Sequence, residues 1–81
     1  MSIPKDIAGG ELIRLLAQYG YEITRQKGSH VRLTTTRGGE HHITIPRHNP
    51  LKVGTLNSII NDVVDHFGLS KKEVIEDLFS G

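Results

Sequence analysis

Three short segments in which apolar and polar residues alternate lie within residues 21–45, separated by glycine-bearing turns. Alternation with a period of two is typical of β-strands. Gly28-Ser29 and Arg37-Gly38-Gly39-Glu40 each favour a tight turn, because glycine accepts positive φ without steric cost. Connections this short join antiparallel neighbours. The sequence therefore predicts an antiparallel sheet of three strands, at residues 21–27, 30–35 and 41–45.

The alternation assigns side chains to the two faces of this sheet. We expect an apolar face made of Tyr21, Ile23, Val31, Leu33, Ile43 and Ile45. The opposite, open face is then polar, with Glu22, Thr24, Gln26, His30, Arg32, Thr34, His42 and Thr44. A β-bulge at Gly28-Ser29 would reverse the facing by one residue.

Helical patterns flank the strands. Apolar stripes predict a helix over residues 10–19 that Gly20 ends, and a second over 56–67 with Thr55 as N-cap. Ser70-Lys71-Lys72-Glu73 is a capping-box pattern that opens a short third helix. With the two main helices on the apolar face, we expect an α+β fold with the α-β-β-β-α order of double-stranded-RNA-binding domains. Residues 1–81 form one domain, with residues 69–80 as a helical C-terminal extension.

Composition limits the class of protein. The 81 residues leave no room for a second core, and the absence of cysteine excludes disulfides, thiolate metal sites and a cysteine nucleophile. The apolar runs are far shorter than the ~20 residues that span a bilayer, so no membrane association is expected. Met1–Asp6 lacks the apolar core of a secretory signal, which favours a cytoplasmic protein.

Positive charge is concentrated in the middle of the chain. The net charge is +1, yet residues 25–52 carry six lysines and arginines against one acid, a local charge of +5. Such a distribution indicates a polyanion partner, although an ordinary solvated strand surface explains it equally well.

The densest group of reactive side chains is Arg25-Gln26-Lys27-Gly28-Ser29-His30. Cleavage of RNA without a metal needs a base for the 2′-hydroxyl and an acid for the leaving oxygen, and an imidazole can serve in either role. His30 on the open face is therefore the candidate catalytic residue. The alternative is an exposed strand histidine without a chemical role.

These motifs, in this order and spacing, resemble the HicA family of small bacterial toxins over roughly residues 9–67. The resemblance is carried by Tyr19-Gly20-Tyr21, Arg25-Gln26-Lys27-Gly28-Ser29-His30, His42-Ile43-Thr44-Ile45-Pro46-Arg47-His48, Leu51-Lys52-Val53-Gly54-Thr55-Leu56, Ile59 and Ile60. It implies a double-stranded-RNA-binding-like fold and cleavage of messenger RNA without the ribosome, for which the histidine of the Gly-Ser-His motif, His30 here, is required. It also implies a HicB-like antitoxin that blocks the active site, with DNA bound only indirectly, through the antitoxin complex.

The remaining candidates surround His30. His42 on the same face is a possible second acid–base group, or only a surface neighbour. Metal ligation is not expected, because adjacent strand residues such as His41 and His42 point to opposite faces, and no cofactor is implied. A Ser29–His30 nucleophile pair lacks an orienting carboxylate. The expected contacts to RNA or its phosphates are Arg25, Lys27, Ser29, Arg32, Arg47 and Lys52.

Two rival functions remain open from the sequence. One is a non-catalytic double-stranded-RNA-binding module, in which replacing His30 leaves RNA affinity unchanged. The other is a protein-interaction domain whose open face only docks another chain and binds no RNA at low salt.

Overall fold

The predicted order of helices and strands is confirmed. The computed structural model describes residues 3–80, so Met1, Ser2 and Gly81 of the predicted 1–81 domain lie outside the described residues. Helix α1 precedes strands β1, β2 and β3, and helices α2 and α3 follow them. Their bounds are Gly9–Leu16, Glu22–Lys27, His30–Thr35, His41–Pro46, Val53–Phe67 and Lys71–Phe79.

The strands form one antiparallel sheet in the order β1-β2-β3. The central strand β2 fixes the register of both neighbours: His30 lies opposite Lys27 and Pro46, and Leu33 lies opposite Ile23 and Ile43. The predicted α+β fold with a three-stranded antiparallel sheet is therefore confirmed.

The core lies between the helices and one face of the sheet. Five of the six residues predicted for the apolar face are buried, namely Tyr21, Val31, Leu33, Ile43 and Ile45. They pack with Leu12 and Leu16 of α1 and with Leu56, Ile60 and Val63 of α2. The helices contact β3, whereas all six residues of β1 are exposed. The helices therefore leave β1 uncovered. The prediction that Ile23 is a core residue is consequently wrong: its side chain is 51% exposed.

A β-bulge interrupts β1 at Thr24. Ile23 pairs with Leu33 and Arg25 with Arg32, so Thr24 has no partner of its own on β2. An extra residue shifts every later side chain of the strand to the other face. Gln26, expected on the open face, instead lies opposite the inward-facing Val31. The bulge lies before the turn at Gly28-Ser29, and His30 keeps its predicted position on the open face.

Side-chain capping sets the position of some helix ends, and packing sets the position of others. Gly20 ends the first helical segment, including a 3₁₀ turn over Ala17–Tyr19, with φ of 82°. Ser70 and Glu73 form the predicted capping box at α3. The N-cap of α2 is Lys52, and the prediction of Thr55 is wrong. The neighbouring Leu51 is buried and its N–H donates to the Ile7 carbonyl at 2.8 Å, which fixes where the chain can turn into the helix.

Within residues 3–80 no helix combines the length and the apolar character needed to cross a bilayer.

Candidate nucleic-acid interface

The bulge at Thr24 assembles a group of four basic side chains on the open face. Beyond the bulge, Arg25 lies opposite Arg32, and Lys27 lies opposite His30. Residues directly opposite each other in an antiparallel pair share a face. These four residues, called the cation quartet below, occupy the end of the sheet next to the turn at Gly28-Ser29.

The cation quartet is electrostatically unfavourable in the free protein. Like charges directly opposite each other destabilise a strand pair, and Arg25 faces Arg32 across β1 and β2. Among residues 3–80, no hydrogen bond or ion pair joins the side chains of the quartet to another group. Arg25, Lys27 and His30 are exposed and Arg32 is half-buried. The arrangement can neutralise an anion that lies across the two strands.

The turn beside the quartet is held by the segment that follows β3. Gly28 has φ of 59°, as the first central residue of a two-residue hairpin often requires. The Ser29 carbonyl accepts a hydrogen bond from the Arg47 N–H at 2.6 Å, and the His48 carbonyl accepts one from the Gly9 N–H at 2.9 Å. Arg47 and Ser29 are thus brought together at the edge of the quartet.

Close contact of α1 with the same segment depends on Gly9. A Cβ at this position would lie 2.0 Å from the Pro46 carbonyl oxygen. Only glycine fits there without displacing the backbone between β3 and α2. Lys52 lies further along this segment, exposed at the start of α2, and within residues 3–80 no hydrogen bond or ion pair joins its side chain to the quartet.

His42 shares the open face with His30 but lies at the other end of the strands. His42 is opposite Thr34, whereas His30 is opposite Pro46, four residues further along β3. At ~3.3 Å per strand residue the two histidines are about 13 Å apart. The structure therefore does not bring them together as a directly contacting pair.

Instead, His42 belongs to a chain of hydrogen bonds that crosses all three strands. Its Nε2 lies 2.8 Å from Glu40 Oε2, and its Nδ1 lies 2.7 Å from Thr34 Oγ1. Thr34 Oγ1 in turn lies 2.8 Å from Thr24 Oγ1. This chain is called the Thr–His–Glu chain below.

His41 points to the other face and has a structural role. Its Nδ1 lies 2.7 Å from the Tyr21 hydroxyl, and its ring stacks on His66 with 4.3 Å between ring centroids. Burial, and then the neighbouring His66, lower the pKa of His41. Burial, followed by the charge of Asp62, raises the pKa of Tyr21 to about 12. His41 is therefore favoured as a neutral acceptor for the Tyr21 hydroxyl.

No group of three or more histidine, cysteine or acidic side chains within residues 3–80 is arranged to hold a metal ion.

Sequence reasoning found the members of the cation quartet but missed two features. The bulge has no clear signal in β1, since alternation alone places Arg25 and Lys27 on the apolar face. Glu40 was also missed as a partner of His42. The spacing gives a signal for that contact, because Glu40 lies two residues before His42 and residues two apart in an extended segment share a face.

The described residues define a small α+β domain with one covered sheet face and one open face that carries cations and imidazoles. The family model for the HicA toxin of bacterial toxin–antitoxin pairs matches residues 9–63, from the start of α1 into α2. The chain therefore belongs to the HicA toxin family, and membership implies an antitoxin partner. No curated protein and no solved structure matches the chain.

Proposed function

We propose that this protein is an endoribonuclease that cleaves messenger RNA without the ribosome, with His30 as its catalytic residue. The observation that carries the proposal is the cation quartet. Three permanent cations and an imidazole share one exposed end of the sheet, with two arginines directly opposite each other. A polyanion relieves this repulsion, and family membership favours RNA as that polyanion.

The chemistry follows from the residue types in the quartet. Attack of a ribose 2′-oxygen on the adjacent phosphorus requires loss of one proton and delivery of another to the leaving 5′-oxygen. An imidazole can serve as an acid or as a base, so His30 is the member of the quartet that exchanges a proton with the RNA. Arg25, Arg32 and Lys27 stabilise the negative charge that develops on the phosphoryl oxygens.

The other residues predicted to bind RNA extend this surface. Ser29 and Arg47 adjoin the quartet through their backbone hydrogen bond, and Lys52 presents its ammonium at the start of α2. Tyr19 and Tyr21 are buried, so neither is available for stacking on bases. We therefore propose recognition through phosphate and shape, with limited reading of sequence.

The antitoxin partner is proposed to be HicB-like and to cover the open face. An acidic surface that pairs with the quartet would remove the same repulsion that RNA removes, and the two would compete. This competition is the proposed means of neutralisation.

The test is cleavage of purified RNA by the purified protein in the presence of EDTA. We expect wild type to cleave and His30→Ala to lose roughly 10²-fold or more in rate, the contribution typical of a general acid or base. His48→Ala is the matched control, because His48 is exposed on the loop after β3 and its side chain has no partner within residues 3–80. Circular dichroism of all three proteins establishes equal folding.

Equal cleavage by wild type and His30→Ala would show that His30 is not the catalytic residue. Binding of RNA by wild type without cleavage would instead favour the double-stranded-RNA-binding module. Absence of RNA binding at low salt would favour a protein-interaction domain.

A further inference from the structure

We propose that the Thr–His–Glu chain is the second proton-transfer device of this protein, with Thr24 at its substrate end. This inference rests on the proposed ribonuclease function. If His30 acts as the acid, the reaction needs a base, and lysine and arginine side chains are poor bases. The chain supplies an imidazole that is connected to the quartet through two hydroxyl groups.

One set of hydrogen-bond directions is consistent with a neutral His42 beside the Glu40 carboxylate. With neutral His42, Nε2–H donates to Glu40, and Nδ1 accepts from the Thr34 hydroxyl at 2.7 Å. Thr34 Oγ1 then accepts from the Thr24 hydroxyl at 2.8 Å. Each hydroxyl proton therefore points toward His42, and the oxygen of Thr24 is free to accept one more.

The chain also has a consistent arrangement after His42 gains a proton. Both ring nitrogens then donate, Nε2–H to Glu40 and Nδ1–H to Thr34, and the two hydroxyl bonds reverse. The Thr24 hydroxyl can donate to the Arg32 carbonyl, 3.4 Å away. Every polar atom thus keeps a partner in both states, which is what a relay requires.

The bulge places the outer end of this chain beside the quartet. Thr24 immediately precedes Arg25, and its Oγ1 lies 2.8 Å from Thr34 Oγ1 and 3.4 Å from the Arg32 carbonyl oxygen, between the levels of Arg32 and Thr34. His30 is two residues from Arg32 and four from Thr34 along β2, about 7 and 13 Å at ~3.3 Å per residue. A phosphoryl group can lie between the Thr24 hydroxyl and the His30 ring, with both arginines beside it.

The reaction balances when the chain acts as base and His30 as acid. The RNA 2′-hydroxyl gives its proton to Thr24, Thr24 gives its own to Thr34, and Thr34 gives its own to His42 Nδ1. The 2′-oxygen bonds to phosphorus, the bond from phosphorus to the 5′-oxygen breaks, and His30 protonates that oxygen. The products are a 2′,3′-cyclic phosphate and a 5′-hydroxyl, and solvent then returns the two histidines to their initial states.

Other titratable and charged groups face the two histidines. Glu40 contacts His42, Glu22 lies across β2 at the level of Thr34, and His41 adjoins His42 on the other face. Around His30 the facing groups are Lys27 and Arg32. The helices lie on the other face of the sheet, where they contact β3.

The test is the pH–rate profile of Thr34→Val, which keeps the β-branched shape and removes the hydroxyl. We expect wild type to lose activity at low pH, where a general base gains its proton, and at high pH, where a general acid loses it. Thr34→Val should lose roughly 10²-fold at neutral pH and lose the acid limb while keeping the alkaline limb. Thr34→Ser should restore both the rate and the acid limb.

Thr44→Val is the matched control. Thr44 lies on the same open face, opposite Arg32, and its hydroxyl has no partner within the described chain. Binding of 2′-O-methylated RNA, which lacks the attacking hydroxyl, should be equal for wild type and both valine variants. This separates loss of chemistry from loss of binding.

The outcomes separate this inference from the proposed function. If wild type does not cleave RNA, the proposed function fails and the inference fails with it. If wild type cleaves and Thr34→Val keeps its rate and both limbs, only the inference is overturned. An equal loss in Thr44→Val would also overturn it.

Discussion

Arg25 and Arg32 show most directly how one residue pair can link stability to function. They face each other across β1 and β2 without an acidic partner in the described structure. Their repulsion lowers the stability of the free protein and is relieved by a bound anion. The same contact therefore destabilises the free protein and favours the anion-bound state.

Replacing one of these charges should have opposite effects on stability and binding. We expect Arg32→Gln to raise the free energy of unfolding by about 0.2–1 kcal/mol, because it removes a like-charge pair. RNA affinity should fall, and the slope of log K against log salt should become less steep by about 0.7–0.9, one phosphate contact. Urea unfolding and binding titrations at several salt concentrations measure the two effects.

Lys72→Gln provides the control for this substitution. Lys72 is exposed at the start of α3, away from the open face, so neither quantity should change appreciably. A loss of stability in Arg32→Gln would contradict the repulsion argument, since the guanidinium would then be stabilising the free protein.

Sequence patterns predicted the secondary-structure elements whose residues follow a regular period. They failed to predict features that tertiary packing determines. The turns, the antiparallel order and the α3 capping box follow from glycine positions, alternation and the Ser70–Glu73 pair. The start of α2 does not follow from such a pattern. The buried Leu51 places the N-cap at Lys52, three residues before Thr55, whose side chain is better suited to capping. The alternation of apolar and polar residues also does not predict the bulge at Thr24. Strand β1 lies at an uncovered edge of the sheet, where few packing contacts determine which face a side chain occupies.

Gly9 in the first turn of α1 and Gly54 in the first turn of α2 test how packing and helix preference compete. Gly9→Ala should lower the free energy of unfolding by about 1–3 kcal/mol, because its Cβ would overlap the Pro46 carbonyl. Gly54→Ala should raise it by about 0.4–1 kcal/mol, because its Cβ would meet nothing within 4 Å. Urea unfolding of both variants beside wild type measures the difference.

Equal stability of Gly9→Ala and wild type would mean that the backbone after β3 adjusts freely. In that case the hydrogen bond from Arg47 to Ser29 would not depend on the seating of α1.

Over the whole molecule, charge is separated between the sheet and the helices. The basic middle of the sequence supplies the open face of the sheet, whereas residues 53–81 carry five acids against two lysines. A partner with an acidic surface is steered toward the open face by this field. For the acidic antitoxin surface proposed above, the separation favours one orientation of the two proteins.

The association rate with the antitoxin should report this steering. We expect the rate to fall as salt rises, and Arg25→Glu to slow association at low salt while weakening its salt dependence. Lys72→Glu, which makes the same charge change on the helical side, should retain the wild-type dependence. Stopped-flow mixing over a range of salt concentrations distinguishes them, and equal behaviour of the two variants would place the partner elsewhere.

The amino-acid sequence determined the local features of this protein. Periodicity, turn glycines and motif spacing gave the α+β order, the buried strand residues, the position of His30 on the open face and the family resemblance. These features depend on residues close together in the chain, whose preferences are readable one segment at a time.

The arrangement of the site depended on tertiary contacts. Strand pairing placed the bulge at Thr24, turned Arg25 and Lys27 onto the face of His30, and joined His42 to Glu40 and Thr34. Packing of Gly9 against Pro46 held the backbone that contacts the turn. Such contacts join residues distant in sequence, and their register is set by the fit of the whole core, which no local pattern encodes.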